Sequence, residues 1–401
     1  MNEAVMHFIW NNRLLKTGVW QTQTGERIWM ESPGQQNPDA GPNFLGARLR
    51  IGNLRWTGAV EMSWHAMDWY RHRRQLDPTY NQVILHVVWE GGQHAMRCDG
   101  TEADTFVMKP WVDGHILDHY SQLMSNSGDF PCASQRGLVD RNRYLAMLDR
   151  GGLQRLLQHK ERFWRSLHQC GGDWDRALWV GLARSFGMNA NSAAMGQLAL
   201  SIPLSEIKAC KGQFDHIWAI ISDRVKTSTA WIHLVRSRTI PVTKAENILK
   251  QLAVLVAYGI PDARELLSAS TPFEVRALFR KATQAAPGVH LIENTDDCLP
   301  PKTLQVFIIN SLIPALFCYG EENHLPQEQD RAVQWLEQLG PEKNRCTDIF
   351  ASLDVHANNA LRSQGMIHQM NAFCRPRRCL ECAVGAFLLT RTLFKRYAQT
   401  A

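Results

Sequence analysis

The chain is predicted to be an α+β protein, with an N-terminal α/β domain over residues 1–125 and a helical domain over residues 126–401. Two observations carry this. Up to about residue 130 the apolar residues fall in short alternating or fully apolar runs separated by Gly, Asn and Pro, the signature of strands and turns. Beyond Asp129-Phe130-Pro131-Cys132 the period becomes helical and stays so, with recognisable helix starts and stops.

The elements follow in order. Glu3 to Asn12 has the apolar spacing of a first helix, and Glu26 to Glu31 reads as a strand stopped by Ser32-Pro33-Gly34. Ala47 to Ile51 alternates apolar with basic residues. Gly52-Asn53 supplies the φ > 0 chemistry of a tight hairpin, and Arg55 to Trp64 returns as its partner strand. Alternation places Thr57, Ala59, Glu61 and Ser63 on one face of that strand. A polar linker follows, and then Asn81 to Trp89, whose VILHVV core is rich in β-branched residues and predicts a central strand buried on both faces. Ala95 to Lys109 holds a further strand pair. In the second half, Asp173 caps a helix ending near Gly187, and Thr243-Lys-Ala-Glu246 opens one that stops at Gly259. Thr271-Pro272-Phe-Glu274 repeats the device, with proline in the first helical position.

Composition narrows the class. A 45% hydrophobic and 20% charged chain of 401 residues has material for two or three packed domains. No run reaches the roughly 20 apolar residues of a membrane span, and Met1 to Asn12 carries Glu3 and lacks a basic start, so a cytoplasmic location without membrane attachment is expected. The net charge of +6 permits an anionic partner. Arginines cluster at Arg71/Arg73/Arg74, from Arg141 to Arg165, and at Arg375/Arg377/Arg378, where they can track phosphates or form solvated helix faces.

The chemistry-bearing residues gather between Asn37 and Glu90. Pro38-Asp39 precedes one strand, and Glu61 is the one acid in a small, neutral row of the next. Asp68, His72 and Asp77 lie in the linker, with His65 before it and His86 on the apolar strand after it. Paired carboxylates suit a hard cation, which takes one or two of them and completes its shell with water and phosphate. Asp39 and Glu61, with Asp68 and Asp77, are therefore candidate ligands for Mg²⁺ or Mn²⁺. Such an ion lowers the pKa of an attacking water and neutralises transition-state charge. His65, His72 and His86 are candidate general bases. A lone strand histidine is as often a satisfied core group. Arg71, Arg73 and Arg74 with Trp69 form a basic and aromatic stretch suited to phosphates and stacked bases.

This αβββαβ order, with Asp39 before the second strand and Glu61-Met62-Ser63 on the third, resembles the core of the PD-(D/E)XK restriction-endonuclease-like superfamily. The resemblance implies a metal-dependent phosphodiesterase acting on DNA or RNA. Two departures stand against activity: Ser63 replaces the lysine of that motif, and Asn43 sits where the strand acid belongs. Over nearly its full length the chain also resembles an uncharacterised bacterial family, through Asn37-Pro-Asp-Ala-Gly-Pro-Asn-Phe44, Gly58 to Glu61, Asp68-Trp69 with His72 and Asp77, Val83 to Val88, and Cys374 to Gly385. That family favours aspartate at Asn43 and histidine at Ser63, which makes this chain a variant lacking two polar groups.

Cys374-x4-Cys379-x2-Cys382 has zinc-ligand spacing and lies among arginines that favour the thiolate. A fourth ligand can come from His368, Cys132 or Cys346. Zinc stands ahead of an iron–sulfur cluster, which some nucleases of this type hold with one distant cysteine and a C-terminal trio. The bland alternative is free thiols at a helix start. Three functions thus compete: a metal-dependent nuclease, a non-catalytic nucleic-acid-binding module, and a structural, partner-binding protein.

Overall fold

The computed structural model describes residues 3–92, 94–227, 242–283 and 299–400. It is a mixed α+β structure, with an N-terminal sheet followed by helices. Two compact units divide the chain, one of Met1–Tyr144 with Asn371–Ala401, the other of Leu145–Met370. The expected break at residue 125 is replaced by this discontinuous division, because the C-terminal helix Ala383–Thr400 packs against Gly114–Ser125 and returns the end of the chain to the first unit.

In the first unit, α1 (Glu3–Asn11) buries Val5, Met6, Phe8, Ile9 and Trp10. The sheet comprises β1 (Trp20–Gln21), β2 (Arg27–Ser32), β3 (Gln35–Gln36), β4 (Phe44–Ile51), β5 (Leu54–His65), β6 (Val83–Glu90), β7 (Ala95–Met96) and β8 (Glu102–Val107). Its order is β1-β2-β4-β5-β6-β8-β7, with β3 on β4. Strands β5, β6 and β8 run parallel, and the remaining pairs antiparallel. The Gly52-Asn53 hairpin forms as its chemistry predicts, with Gly52 at φ 57° and Ile51 opposite Leu54. β6 is buried on both faces over Val83 to Trp89. At Gly58 the backbones of β5 and β6 approach so closely that a Cβ would meet Ile84 Cγ2 at 2.5 Å and the Gln82 carbonyl at 2.6 Å. Between β5 and β6 the chain makes a short helix, α2 (Asp68–Arg71), and two 3₁₀ turns at Arg74–Leu76 and Pro78–Gln82. A third helix, α3 (Gly114–Ser125), is capped by Asp113.

The second unit is helical. Among the described residues its longest helix is α4 (Arg141–Gln169), which begins at the end of the first unit, followed by α5 (Trp174–Phe186) and α6 (Met188–Ser201). Asp173 caps α5 by accepting from the Arg176 N–H. Thr271 accepts from the Glu274 N–H, with Pro272 opening the helix Pro272–Thr283. The Thr243–Glu246 stretch falls inside the helix Val242–Tyr258, whose end is followed by Gly259 at φ 142°. Pro301–Glu322 is long and apolar enough to cross a bilayer, yet 67% of its apolar stretch is buried, as in a core helix. Its middle, Ile308–Leu312, is a π turn.

Candidate functional site

Glu61 and His86 are brought together by sheet register. They are direct partners across the parallel β5–β6 pair, so their side chains share one face. Both are fully buried, as is Ser63. His86 Nε2 lies 3.0 Å from Ser63 Oγ, and its ring packs 5.1 Å from that of Trp69.

Arg74 enters this face from the 3₁₀ turn behind α2. Arg73, at φ 56°, turns the chain so that Arg74 points inward. Its Nη2 lies 2.6 Å from Glu61 Oε1 in an ion pair between side chains 12% and 1% exposed. That oxygen is buried and off the axis of a conventional hydrogen bond; at this separation the charge pairing holds regardless of alignment. Arg74 Nη1 donates to Ser63 Oγ at 2.6 Å, and the guanidinium sits 5.7 Å from the Tyr80 ring. The second Glu61 oxygen accepts from the Asn43 N–H at 3.0 Å, while Asn43 Oδ1 accepts from the Met62 N–H at 2.7 Å. Asn43 thus bridges the start of β4 to β5.

Burial dominates the electrostatics. It raises the Glu61 carboxyl to about 7 against the opposing pull of Arg74 and the Asn43 N–H, with Glu3 adding a further upward push. Burial also lowers His86 to about 3, assisted by the Arg74 charge. His86 is therefore neutral at physiological pH and a weak base.

The other expected residues lie elsewhere. Asp39 is exposed in a loop, its N–H donating to Asn37 Oδ1. Asp68 is buried and accepts from the His65 N–H at 2.9 Å. Asp77 accepts from the Thr79 N–H and hydroxyl, which hold its carboxyl below the usual range. His65, His72, Arg71 and Arg73 are exposed, and His65, Asp68 and Arg71 line a cleft of about 670 Å³ with Gly91 and Gly92. Trp69, expected to stack on bases, is instead a core side chain, fully buried with its Nε1 donating to the Met96 carbonyl. Arg74, expected at a phosphate, is committed to Glu61 and Ser63. Among the described residues no group of three or more His, Cys, Asp or Glu is arranged to hold a metal ion as it stands.

Two features escaped the sequence reading. Glu3 of α1 approaches this face and accepts from the Trp64 N–H at 3.3 Å. The outer face of β2, β4 and β5 exposes Arg27, Arg48, Arg50 and Arg55 around Trp29, which is 59% exposed. Register aligns Trp29 with Arg50 and Arg50 with Arg55. Arg50 stacks 5.0 Å from the Trp29 ring, and Glu31, the acid beside them, pairs with Arg55 at 3.2 Å. The alternation of apolar and basic residues in Ala47 to Ile51 was the available signal.

The C-terminal cysteines belong to the first unit. Residues Arg377 and Arg378 close the preceding helical turn, the Arg377 N–H bonding to the Cys374 carbonyl and the Arg378 N–H to that of Phe373. Arg377 takes φ 59°, the left-handed position of a Schellman cap, and its guanidinium donates to the carbonyls of Asn126 and Gly128, upstream of Cys132. Cys374, Cys379 and Cys382 are buried and form no disulfide. The Cys132 thiol neighbours those of Cys382 and Cys379, and burial together with these thiols pushes it up to about 12.

The family model of DUF2851, described as a protein of unknown function, matches residues 3–225, more than half of the chain. The chain belongs to DUF2851. No curated protein and no solved structure matches it. The DUF2851 match takes in the whole sheet, the Glu61–Arg74 cluster and α4 to α6; the C-terminal cysteines lie beyond it.

Proposed function

We propose that this DUF2851 protein is a nuclease-like, non-catalytic nucleic-acid-binding module. The observation that carries the reading is the Arg74 guanidinium between Glu61 and Ser63. A PD-(D/E)XK-like centre needs open carboxylate oxygens for a hard cation. Here one Glu61 oxygen faces a fixed cation and the other an N–H, while Asp39 stands exposed in its loop. These residues do not fit Mg²⁺ or Mn²⁺, and no hydrolytic step is derived through them. Nucleic-acid binding is supported by the arginine face around Trp29, which offers charge for phosphates and a ring for a base. We further propose Cys374, Cys379 and Cys382 with Cys132 as ligands for a structural zinc, which requires these thiols to draw together from their present arrangement and would tie the two segments together.

The test is binding of a labelled single-stranded oligonucleotide across a salt series, with Mg²⁺ and Mn²⁺ cleavage assays beside it. Binding is expected to weaken with salt, and the slope of log K on log salt to become shallower by roughly 0.7 for each phosphate that is no longer neutralised. Arg48→Ala, Arg50→Ala and Arg55→Ala are expected to show that shallower slope, and Glu61→Gln to bind as the parent does. Metal-dependent cleavage that disappears in Glu61→Gln would overturn the non-catalytic reading. Absence of binding at low salt would overturn the nucleic-acid reading.

A further inference from the structure

The helical unit contains a cavity of about 190 Å³ whose lining includes Arg155, His159, Arg162, Ser166, Arg184 and Asn310, and no carboxylate. The first four lie at spacings of four, three and four along α4, which puts them on one helix face. Arg184 comes from α5 and Asn310 from the π turn Ile308–Leu312, a backbone irregularity that often marks functional positions.

The polar atoms here are short of partners. His159 and Ser166 are each 4% exposed. His159 Nδ1 lies 3.4 Å from the Asn310 carbonyl, and its Nε2 has no partner among the described residues. Ser166 Oγ, Arg184 Nε and Asn310 Oδ1 are likewise buried and unpartnered among the described residues. Arg155 donates to Gln364, whose amide bonds Glu342, and the Glu342 charge also acts on Arg155 from outside the cavity lining. Arg162 and Arg184 make no ion pair among the described residues. Gly196 of α6 leaves the space that the Arg184 side chain fills; a Cβ there would collide with it.

Arg155 and Arg184 are half-buried and Arg162 stands exposed at the rim. Three guanidiniums on one cavity repel one another, and burial with the neighbouring arginines lowers the pKa of Arg155, against an upward pull from Glu342, and of Arg162. Native structures leave few buried polar groups unpaired, and each exception needs an explanation. A bound polyvalent anion supplies one.

We propose that this cavity binds a phosphate group, clamped by Arg155, Arg162 and Arg184 and hydrogen-bonded by Ser166, with His159 Nε2 and Asn310 at its inner wall. A phosphate monoester carries about −1.5 to −2 charge at neutral pH and three acceptor oxygens, matched to the planar forks of arginine. The cavity is smaller than the roughly 300 Å³ at which drug-sized ligand pockets begin, so it admits the phosphate and leaves any attached nucleoside outside. Free phosphate and the terminal phosphate of a nucleic-acid strand share this chemistry. The site stands independently of the first unit and of its proposed binding role.

The experiment is thermal unfolding and calorimetric titration of the full chain with inorganic phosphate, against chloride at matched ionic strength. Phosphate is expected to raise the melting temperature by on the order of 5 °C when present at about a hundred times its Kd. Arg162→Met and Arg184→Met are expected to weaken phosphate at least about tenfold without lowering the melting temperature of the free protein, because each removes an unpaired charge. Ser166→Ala, which breaks no hydrogen bond among the described residues, guards against misfolding and is expected to weaken phosphate several-fold. No phosphate-specific shift overturns the proposal, as does binding unchanged in all three variants. Tighter binding of a 5′-phosphorylated oligonucleotide than of its unphosphorylated twin, abolished in Arg162→Met, assigns the site to a strand end. Equal binding of the two oligonucleotides, with free phosphate retained, assigns it to the free anion.

Discussion

Glu61→Gln tests how burial and the Arg74 charge compete at the sheet. The folded carboxyl titrates near 7 instead of the unfolded 4.5, a difference worth roughly 3 kcal/mol. Because the folded value is raised, the Glu61 contribution is fully favourable below about pH 4.5. It is lost as pH rises through about 7, where the buried group must ionise. The amide keeps the shape and an acceptor for the Asn43 N–H but cannot ionise. Subtracting the two stability profiles cancels the other titrating groups. The variant is therefore expected to gain on the parent by about 3 kcal/mol between about pH 4.5 and about pH 8.5. Denaturant unfolding followed by tryptophan emission reads this, with the transition of the first unit fitted separately because two units need not unfold together. Parallel profiles would show an ordinary carboxyl. A variant that loses ground as pH rises would show that Arg74 outweighs burial, and the reasoning would be wrong in sign.

Arg74→Met removes the charge that opposes burial, so Glu61 is expected to titrate above 7 and to stay protonated at neutral pH. The expected cost there is the lost hydrogen bond to Ser63, about 1–3 kcal/mol, measured by the same unfolding experiment. Arg74→Lys should recover little of it, because an ammonium is a poor substitute for the fork that reaches both Glu61 and Ser63. Gly58→Ala drives a methyl into Ile84 and the Gln82 carbonyl, and overpacking of this kind costs about 1–3 kcal/mol; an unchanged midpoint would mean the β5–β6 spacing yields easily. For the cysteines, elemental analysis of the purified protein is expected to give about one zinc per chain, absent from both Cys132→Ser and Cys379→Ser and kept in Cys318→Ser. Zinc that survives Cys132→Ser would remove that residue from the ligand set, and an iron-containing brown protein would rule zinc out as the native occupant.

Local signals were the legible ones. The Gly52-Asn53 hairpin, the apolar β6 run and the Asp173 and Thr271 helix starts each depend on residues within a few positions of one another, and each formed as expected. Alternation also placed Glu61 on its face. What it could not supply was the partner: Arg74 reaches Glu61 only because Arg73 adopts φ 56° and the linker folds back on β5. The same local pattern put Trp69 in solvent, when the bond that holds it inside is made with the Met96 carbonyl beyond β6. In the second unit, the sequence showed only an arginine cluster from Arg141 to Arg165, able to track phosphates or to form a solvated helix face. The third guanidinium and the π-turn asparagine come from elsewhere in the chain, so the cavity was not legible.

Charge balance separates the two polar interiors of this molecule. At the sheet, Arg74 has Glu61, and the hydrogen bonds of Asn43, Ser63 and His86 join β4, β5, β6 and the crossover into one register. A buried ion pair is seldom a large net source of stability, but here it fixes which residues face each other, which is sufficient reason for a cluster to persist without catalysing anything. Around His159 the charge is unbalanced: three guanidiniums face the cavity, and no carboxylate lines it. Like charges gathered on one cavity repel one another, and an anion between them would relieve that repulsion. The residues that look most like an active site in the sequence are thus largely satisfied by one another, and those that resembled an ordinary basic helix face are the ones still wanting a ligand.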